Sequence, residues 1–396
     1  MTRPLNLPKK VPGTFFRAPT LRGTFFRAAG LGKKVPGTFI VIALSLATVA
    51  AQAPSGERDF LSRVRRLTVE GKRAGEGYWS PDGKRIVLQS EREPGNPFYQ
   101  IYVLDLETGD SKRISPGHGK TTCAFFRAGS DQILFSSTHH DPASKKLQDD
   151  ELAFRASGKE RRYSWDYDPE MEIYAYAEKT GALTRLTNVR GYDAEASYSP
   201  NGEWIVLSSM RDAYNRSLSD AEKKQLEVDP SFFAEIYIMR ADGSGQKRLT
   251  NVNGYDGGPF FSPDGKQIIW RRFDEQGLIA DVWMMNIDGT NQRQITNFKS
   301  MSWAPYIHPS GEYILFASNK LGFENFEVFM VDIDGKKEPV RVTYSDGFDG
   351  LPVPSPDGRQ LAWTSSRSGD RGGQIFLATW NHEGARKALA ASPPRR

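Results

Sequence analysis

The sequence predicts an all-β fold: a six-bladed β-propeller of four-stranded blades, closed by an N-terminal strand that joins the last blade. Three observations carry this expectation. One turn motif recurs along the chain, its copies keep a near-constant spacing, and each interval reads as four short strands. Ser80-Pro81-Asp82-Gly83, Ser199-Pro200-Asn201-Gly202, Ser262-Pro263-Asp264-Gly265, His308-Pro309-Ser310-Gly311 and Ser355-Pro356-Asp357-Gly358 are copies of one element, and Arg127-Ala128-Gly129-Ser130 is a degenerate sixth. Their second residues lie 47, 72, 63, 46 and 47 positions apart, so a unit of 46–47 residues with two insertions accounts for the spacing.

Each part of the unit has a physical reading. Proline presets φ at the second position of a type I turn, Asp or Asn suits the third and glycine ends it, so the motif joins two antiparallel strands. Behind it comes an apolar run too short for a helix, such as Ile86-Val87-Leu88, Ile205-Val206-Leu207 or Ile268-Ile269-Trp270. A third segment alternates, as in Glu235-Ile236-Tyr237-Ile238-Met239 and Glu327-Val328-Phe329-Met330-Val331-Asp332. A glycine turn then leads to a fourth strand marked Arg-Leu-Thr or similar, at Arg113-Ile114-Ser115, Arg185-Leu186-Thr187, Arg248-Leu249-Thr250, Gln294-Ile295-Thr296 and Arg341-Val342-Thr343. Arg66-Leu67-Thr68 is a further fourth-strand marker standing ahead of the first full unit. It is expected to complete the last blade beside Gln374-Ile375-Phe376-Leu377, a place for which Arg386-Lys387-Ala388-Leu389 competes. Closure of the ring in this way removes its open edges.

The formal charge of +5 resolves into two unlike parts. Residues 1–51 hold eight basic side chains and no acid, which leaves residues 52–396 with 45 basic against 48 acidic ones. The basic segment ends in an apolar run from Phe39 to Ala51, preceded by Lys33-Lys34 and closed by Val49-Ala50-Ala51, the order of a signal peptide cleaved after Ala51. Its thirteen or so apolar residues fall short of the ~20 needed to cross a bilayer. Upstream, Lys-Lys-Val-Pro-Gly-Thr-Phe occurs at both Lys9–Phe15 and Lys33–Phe39, which reads as low complexity. The expected organisation is a signal peptide with a low-complexity basic extension over 1–51, a linker over 52–64, the propeller over 65–390 with insertions at about 142–170 and 212–234, and a tail over 391–396. With the leader set aside, the remainder is mildly acidic and nucleic acid is not an expected partner. A single cysteine, Cys123, excludes an intramolecular disulfide and a cysteine-based zinc cluster.

The Ser-Pro-Asp-Gly turn, the Ile-Tyr third strand and the Arg-Leu-Thr fourth strand together resemble the TolB-type propeller repeat, a WD40-like class, across residues 65–380. The resemblance implies a periplasmic or secreted propeller without catalytic activity that binds a protein or peptide partner, with peripheral association to the cell envelope. TolB itself carries an α/β domain ahead of its propeller, whereas here about a dozen residues separate Ala51 from the first strand marker.

Candidate site residues come from a second repeated pattern. Gly191-Tyr192-Asp193, Gly254-Tyr255-Asp256 and Gly347-Phe348-Asp349 each place an aspartate seven residues before the turn proline, on the link that runs from the outer to the innermost strand. Tyr192, Asp193, Tyr255, Asp256, Phe348 and Asp349 are therefore expected at the channel mouth, where converging carboxylates would favour a positively charged ligand. The competing expectation is that each aspartate serves only its own blade. In the first insertion Arg162, Tyr163, Trp165 and Tyr167 have the character of interface anchors, and in the second Ser219 and Glu222 fit a helix capping box. No nucleophile elbow, zinc-protease helix or phosphate-binding loop is present, so no catalytic residue, metal or cofactor is assigned and a monomer is expected. The alternatives are a propeller enzyme, a glycan hydrolase or lyase using Asp193, Asp256 or Asp349, and an accessory propeller of a peptidase system.

Overall fold

The computed structural model of the protein describes residues 56–159, 165–369 and 372–395. The leader over 1–51, the start of the linker, and Arg162 and Tyr163 lie outside the described residues.

Six four-stranded antiparallel sheets form the ring. In blades one to five the strands follow in chain order from axis to rim. In blade six the order from the rim inward is Leu61–Arg66, Gln374–Trp380, Gln360–Ser365, Asp349–Pro354, so the outermost strand comes from the N-terminal side. The innermost strands of blades one to six are Arg73–Trp79, Thr121–Phe126, Ala194–Tyr198, Asp256–Phe261, Ser302–Ile307 and Asp349–Pro354. The stretch around Arg386 does not compete for closure. It forms a helix, His382–Ala391, capped by Asn381, because Ala385 and Leu389 stand one turn apart and are both buried.

The two repeated motifs are explained by hydrogen bonds. In four blades the turn serine donates to the Asp or Asn two residues on at 2.5–2.6 Å and accepts from the first N–H of the next strand at 2.9–3.0 Å. Just past the fourth strand the marker hydroxyls of Ser115, Thr187, Thr250, Thr296, Thr343 and, for blade six, Thr68 each accept an N–H from the third strand of their blade at 2.8–2.9 Å. In five of these blades the hydroxyl also donates to the acid or amide that opens the third strand, such as Glu235, Glu327 and, for Thr68, Gln374. A buried hydroxyl thus satisfies a backbone donor and a side-chain acceptor at once, and Thr68 makes the closing strand a full equivalent of the others.

Both insertions link the second and third strands of their blades. The first carries the helix Ser144–Ala156. The second carries Arg211–Asn215 and Asp220–Val228, the latter with the Ser219/Glu222 capping box in place.

Candidate functional site

Every innermost strand is interrupted by a β-bulge at the same position. The registers shift between Gly75/Tyr78, Thr122/Phe125, Ala194/Ser197, Gly257/Phe260, Trp303/Tyr306 and Gly350/Val353. Within each shift lies one residue of left-handed backbone: Glu76 (φ 49°), Cys123 (51°), Glu195 (55°), Gly258 (58°), Ala304 (49°) and Leu351 (55°). Five of the six are not glycine, a conformation such residues adopt only where the surrounding structure enforces it. The bulge re-aims the strand, and all six residues line one cavity on the axis.

Two residues further along, the strands contribute Tyr78, Phe125, Phe260 and Tyr306. Their rings stand 5.1–6.1 Å apart, and Tyr78 of blade one meets Phe260 of blade four, on the opposite side of the ring, at 5.5 Å. The axis is therefore closed at this level by aromatic packing. Above the plug the cavity is a funnel of about 1830 Å³ that opens on the face bearing both insertions. Its wall is aromatic. Trp165 donates its indole N–H to the Tyr192 hydroxyl at 2.6 Å, and Tyr167 meets the rings of Tyr192 and Tyr255 edge-on at 5.2 and 5.6 Å.

Just above the plug lies a charged group that sequence reasoning missed. Arg271, on the second strand of blade four, donates to both carboxylate oxygens of Glu195 at 3.0 and 2.9 Å. Glu195 also accepts from the Tyr255 hydroxyl and from the Gly258 N–H. Gly258 is required here, since a Cβ at that position would fall 2.2 Å from Arg271 Nη1. Glu76 lines the same floor without such company. Its Oε2 is buried and without a hydrogen-bond partner. Burial, reinforced by Glu195 and opposed by a bond to the Cys123 thiol and by Arg271, pushes its carboxyl up to about 7. Burial likewise pushes the Cys123 thiol up, so it sits neutral beside Glu76.

The residues singled out from sequence divide. Tyr255, Phe348, Trp165 and Tyr167 line the funnel. Tyr192 is fully buried behind Tyr167. Asp193, Asp256 and Asp349 do not line it: each is fully buried and bound to an arginine of its own blade, Arg211, Arg272 and Arg367. Arg272 grips Asp256 in parallel at 2.8 and 2.7 Å, and Asp349 accepts additionally from the Trp363 indole at 3.1 Å. The local alternative thus describes these carboxylates. A signal for the missed residues was available: Glu76, Cys123 and Glu195 each stand five residues before the turn proline or its equivalent, where other blades have Gly258, Ala304 and Leu351. Among the described residues no group of three or more His, Cys, Asp or Glu is arranged to hold a metal ion.

With fold and cavity in view, comparison with known proteins places the chain among similar ones. The structure of a putative TolB from Agrobacterium tumefaciens matches with a TM-score of 0.54 at 21% identity, covering 80% of this chain and 93% of that one. The fold is TolB-like. In sequence, an uncharacterised protein of Agrobacterium fabrum is 26% identical over 212 residues, covering 50% of this chain and 64% of its own length. A TolB homologue of Chlorobium luteolum is 25% identical over 122 residues, 25% of this chain and 28% of that protein. The chain thus spans less than two thirds of the length of the curated relatives it matches. No family model matches the sequence.

Proposed function

We propose that this TolB-like propeller is an exported binding protein that takes a positively charged segment of a protein or peptide into its funnel. The observation that carries the reading is the composition of a dead-ended cavity. Seven acidic residues line it, Glu76, Glu195, Asp229, Asp274, Glu275, Glu324 and Asp346, against three basic ones, Arg73, Lys159 and Arg271. An acidic, low-dielectric concavity focuses its field on cations, and aromatic walls supply area and faces for a side chain with an apolar stem. The signal-like leader supports export, and the TolB-like relatives support a protein or peptide as the partner. Exposed apolar tips on the loops that join second to third strands, Leu278, Leu321 and Phe323, extend the contact beyond the funnel.

The test is calorimetric titration of the full chain with N-acetylated hexalysine and, in parallel, hexaglutamate. Hexalysine is expected to bind, with affinity falling as sodium chloride is raised from about 50 to 300 mM; hexaglutamate is not. Absence of hexalysine binding, or equal binding of both, would refute the proposal.

A further inference from the structure

The floor of the funnel carries two carboxylates in unequal circumstances. Glu195 is fully engaged by Arg271, the Tyr255 hydroxyl and the Gly258 N–H. Glu76 has the Cys123 thiol, a weak donor, on one side and a buried, partnerless Oε2 on the other. Leaving such a group ionised and unpaired costs stability, yet here it is placed on a strand held in left-handed backbone and turned to the axis. Every charged or titratable neighbour can be named. Cys123 approaches from blade two, Glu195 from blade three, Arg271 and Tyr255 from blade four, and Tyr78 lies on the same strand. Blade five adds Tyr306, which acts on Tyr78, while at the positions equivalent to Glu76 blades five and six present the uncharged Ala304 and Leu351. With Glu195 and Arg271 neutralising one another, the floor is left one cation short.

We infer that the floor is a receptor for a primary ammonium group, such as a lysine side chain of the bound segment, with Glu76 as its counter-ion. The inference rests on the reading of the funnel as a site for a cationic segment and specifies what that segment places at the bottom. Shape and chemistry select an ammonium over a guanidinium. A guanidinium is held best by two parallel acceptors, and both oxygens of the other floor carboxylate, Glu195, are already taken by Arg271 Nη2, the Tyr255 hydroxyl and the Gly258 N–H. An ammonium is a compact point charge that a single carboxylate oxygen neutralises, and the aromatic side chains Tyr78, Phe260 and Tyr306 line the cavity beside it. A lysine stem of four methylenes is suited to pass the aromatic wall while its head reaches the floor.

Binding is then coupled to a proton. A cation selects the ionised form of Glu76, whose carboxyl is pushed up to about 7 by burial, so a proton leaves as the ligand enters and affinity rises with pH. For a site that binds only when ionised, the gain from pH 6 to pH 8 is roughly tenfold, while the lysine ammonium itself stays charged throughout.

The experiment is calorimetric titration of the full chain with N-acetylated hexalysine and with its fully ε-acetylated form, at pH 6, 7 and 8. The free amine is expected to bind roughly tenfold or more tightly than the acetylated peptide, and its affinity to rise roughly tenfold over the pH range. Glu76→Gln should weaken hexalysine binding about tenfold and flatten its pH dependence, whereas Glu76→Asp should retain the slope. Near-ultraviolet circular dichroism confirms that each variant is folded. If Glu76→Gln binds as the wild type does with the same slope, the inference is overturned while the cationic-segment reading stands. Equal affinity for the acetylated peptide, which carries no ammonium group, overturns both the inference and the cationic-segment reading. If the wild type binds neither peptide, both fall.

Discussion

Arg271 and Arg272 are neighbours on the strand Gln267–Phe273, and each grips a buried carboxylate with little exposure of either partner. Their surroundings separate them. Arg272 holds Asp256 within blade four, an arrangement repeated as Arg211 with Asp193 and Arg367 with Asp349. Arg271 reaches across to Glu195 of blade three, where the equivalent positions in the other blades hold the uncharged Gln89, Ser136, Ser208, Ala317 and Thr364, and it stands beside Glu76. Successive side chains on a strand point to opposite faces, so one residue step separates the frame of the ring from the floor of its funnel. What recurs from blade to blade builds the frame, and what departs from the repeat at an equivalent position gives the funnel its chemistry.

The comparison breaks if removing a frame carboxylate damages binding more than folding. Asp256→Ala leaves the Arg272 guanidinium buried without its counter-ion and is expected to cost about 3–5 kcal/mol in urea denaturation; where the variant remains folded, hexalysine affinity should be unchanged.

A second expectation concerns pH. Glu76 has its carboxyl raised from 4.5 in the unfolded chain to about 7 in the folded one, so the folded state holds the extra proton between these values. The associated stability is fully present below about 4.5 and is lost as pH rises through 7. Glu235, a frame residue raised to about 7 by burial, contributes in the same window. Melting temperature should therefore fall from pH 5 to pH 8, and Glu76→Gln should remove about 1–3 kcal/mol of that fall, leaving the share due to Glu235 and the other buried carboxyls raised in the same direction, such as Glu172 and Glu327. A fall of undiminished size in the variant would show that Glu76 is not held in the way described.

Thr343→Val sharpens the contrast further. It keeps the shape of the marker but removes the acceptor of the Val328 N–H and the donor to Glu327, at an expected cost of about 1–3 kcal/mol in denaturant with binding intact. The smallest effect is expected at the rim, where Asp274→Asn with Glu275→Gln should leave stability within about 0.5 kcal/mol and reduce the salt dependence of hexalysine affinity.

The frame was legible because its chemistry is local and repeated. Pro-Asp-Gly turns and Arg-Leu-Thr strands announce themselves, and the Ser219/Glu222 box is a short-range pattern that the helix Asp220–Val228 realises. Legibility of this kind marks the frame and not the site. Asp193, Asp256 and Asp349 drew notice by recurring, yet recurrence reflects a bond each blade makes for itself. Glu76, Cys123 and Glu195 gain meaning only when six bulges bring them to one axis, and no linear spacing encodes the meeting of Glu195 with an arginine 76 positions away. The helix Ser144–Ala156 is illegible for another reason: most of its residues are exposed, and its sequence has little apolar periodicity.

The clasp of blade six has a consequence for how the molecule comes into being. Leu61–Arg66 must wait for a partner that ends at Trp380, and the Thr68–Gln374 bond joins residues 306 positions apart. Until that partner exists, the earliest strand is an unpaired edge and blade six lacks its outer quarter. A chain so arranged can assemble its middle blades in any order, but it seals only once nearly all of it is in hand, and the entropy of bringing such distant segments together makes sealing the slow event. The ring therefore cannot lock before the last blade has followed the first.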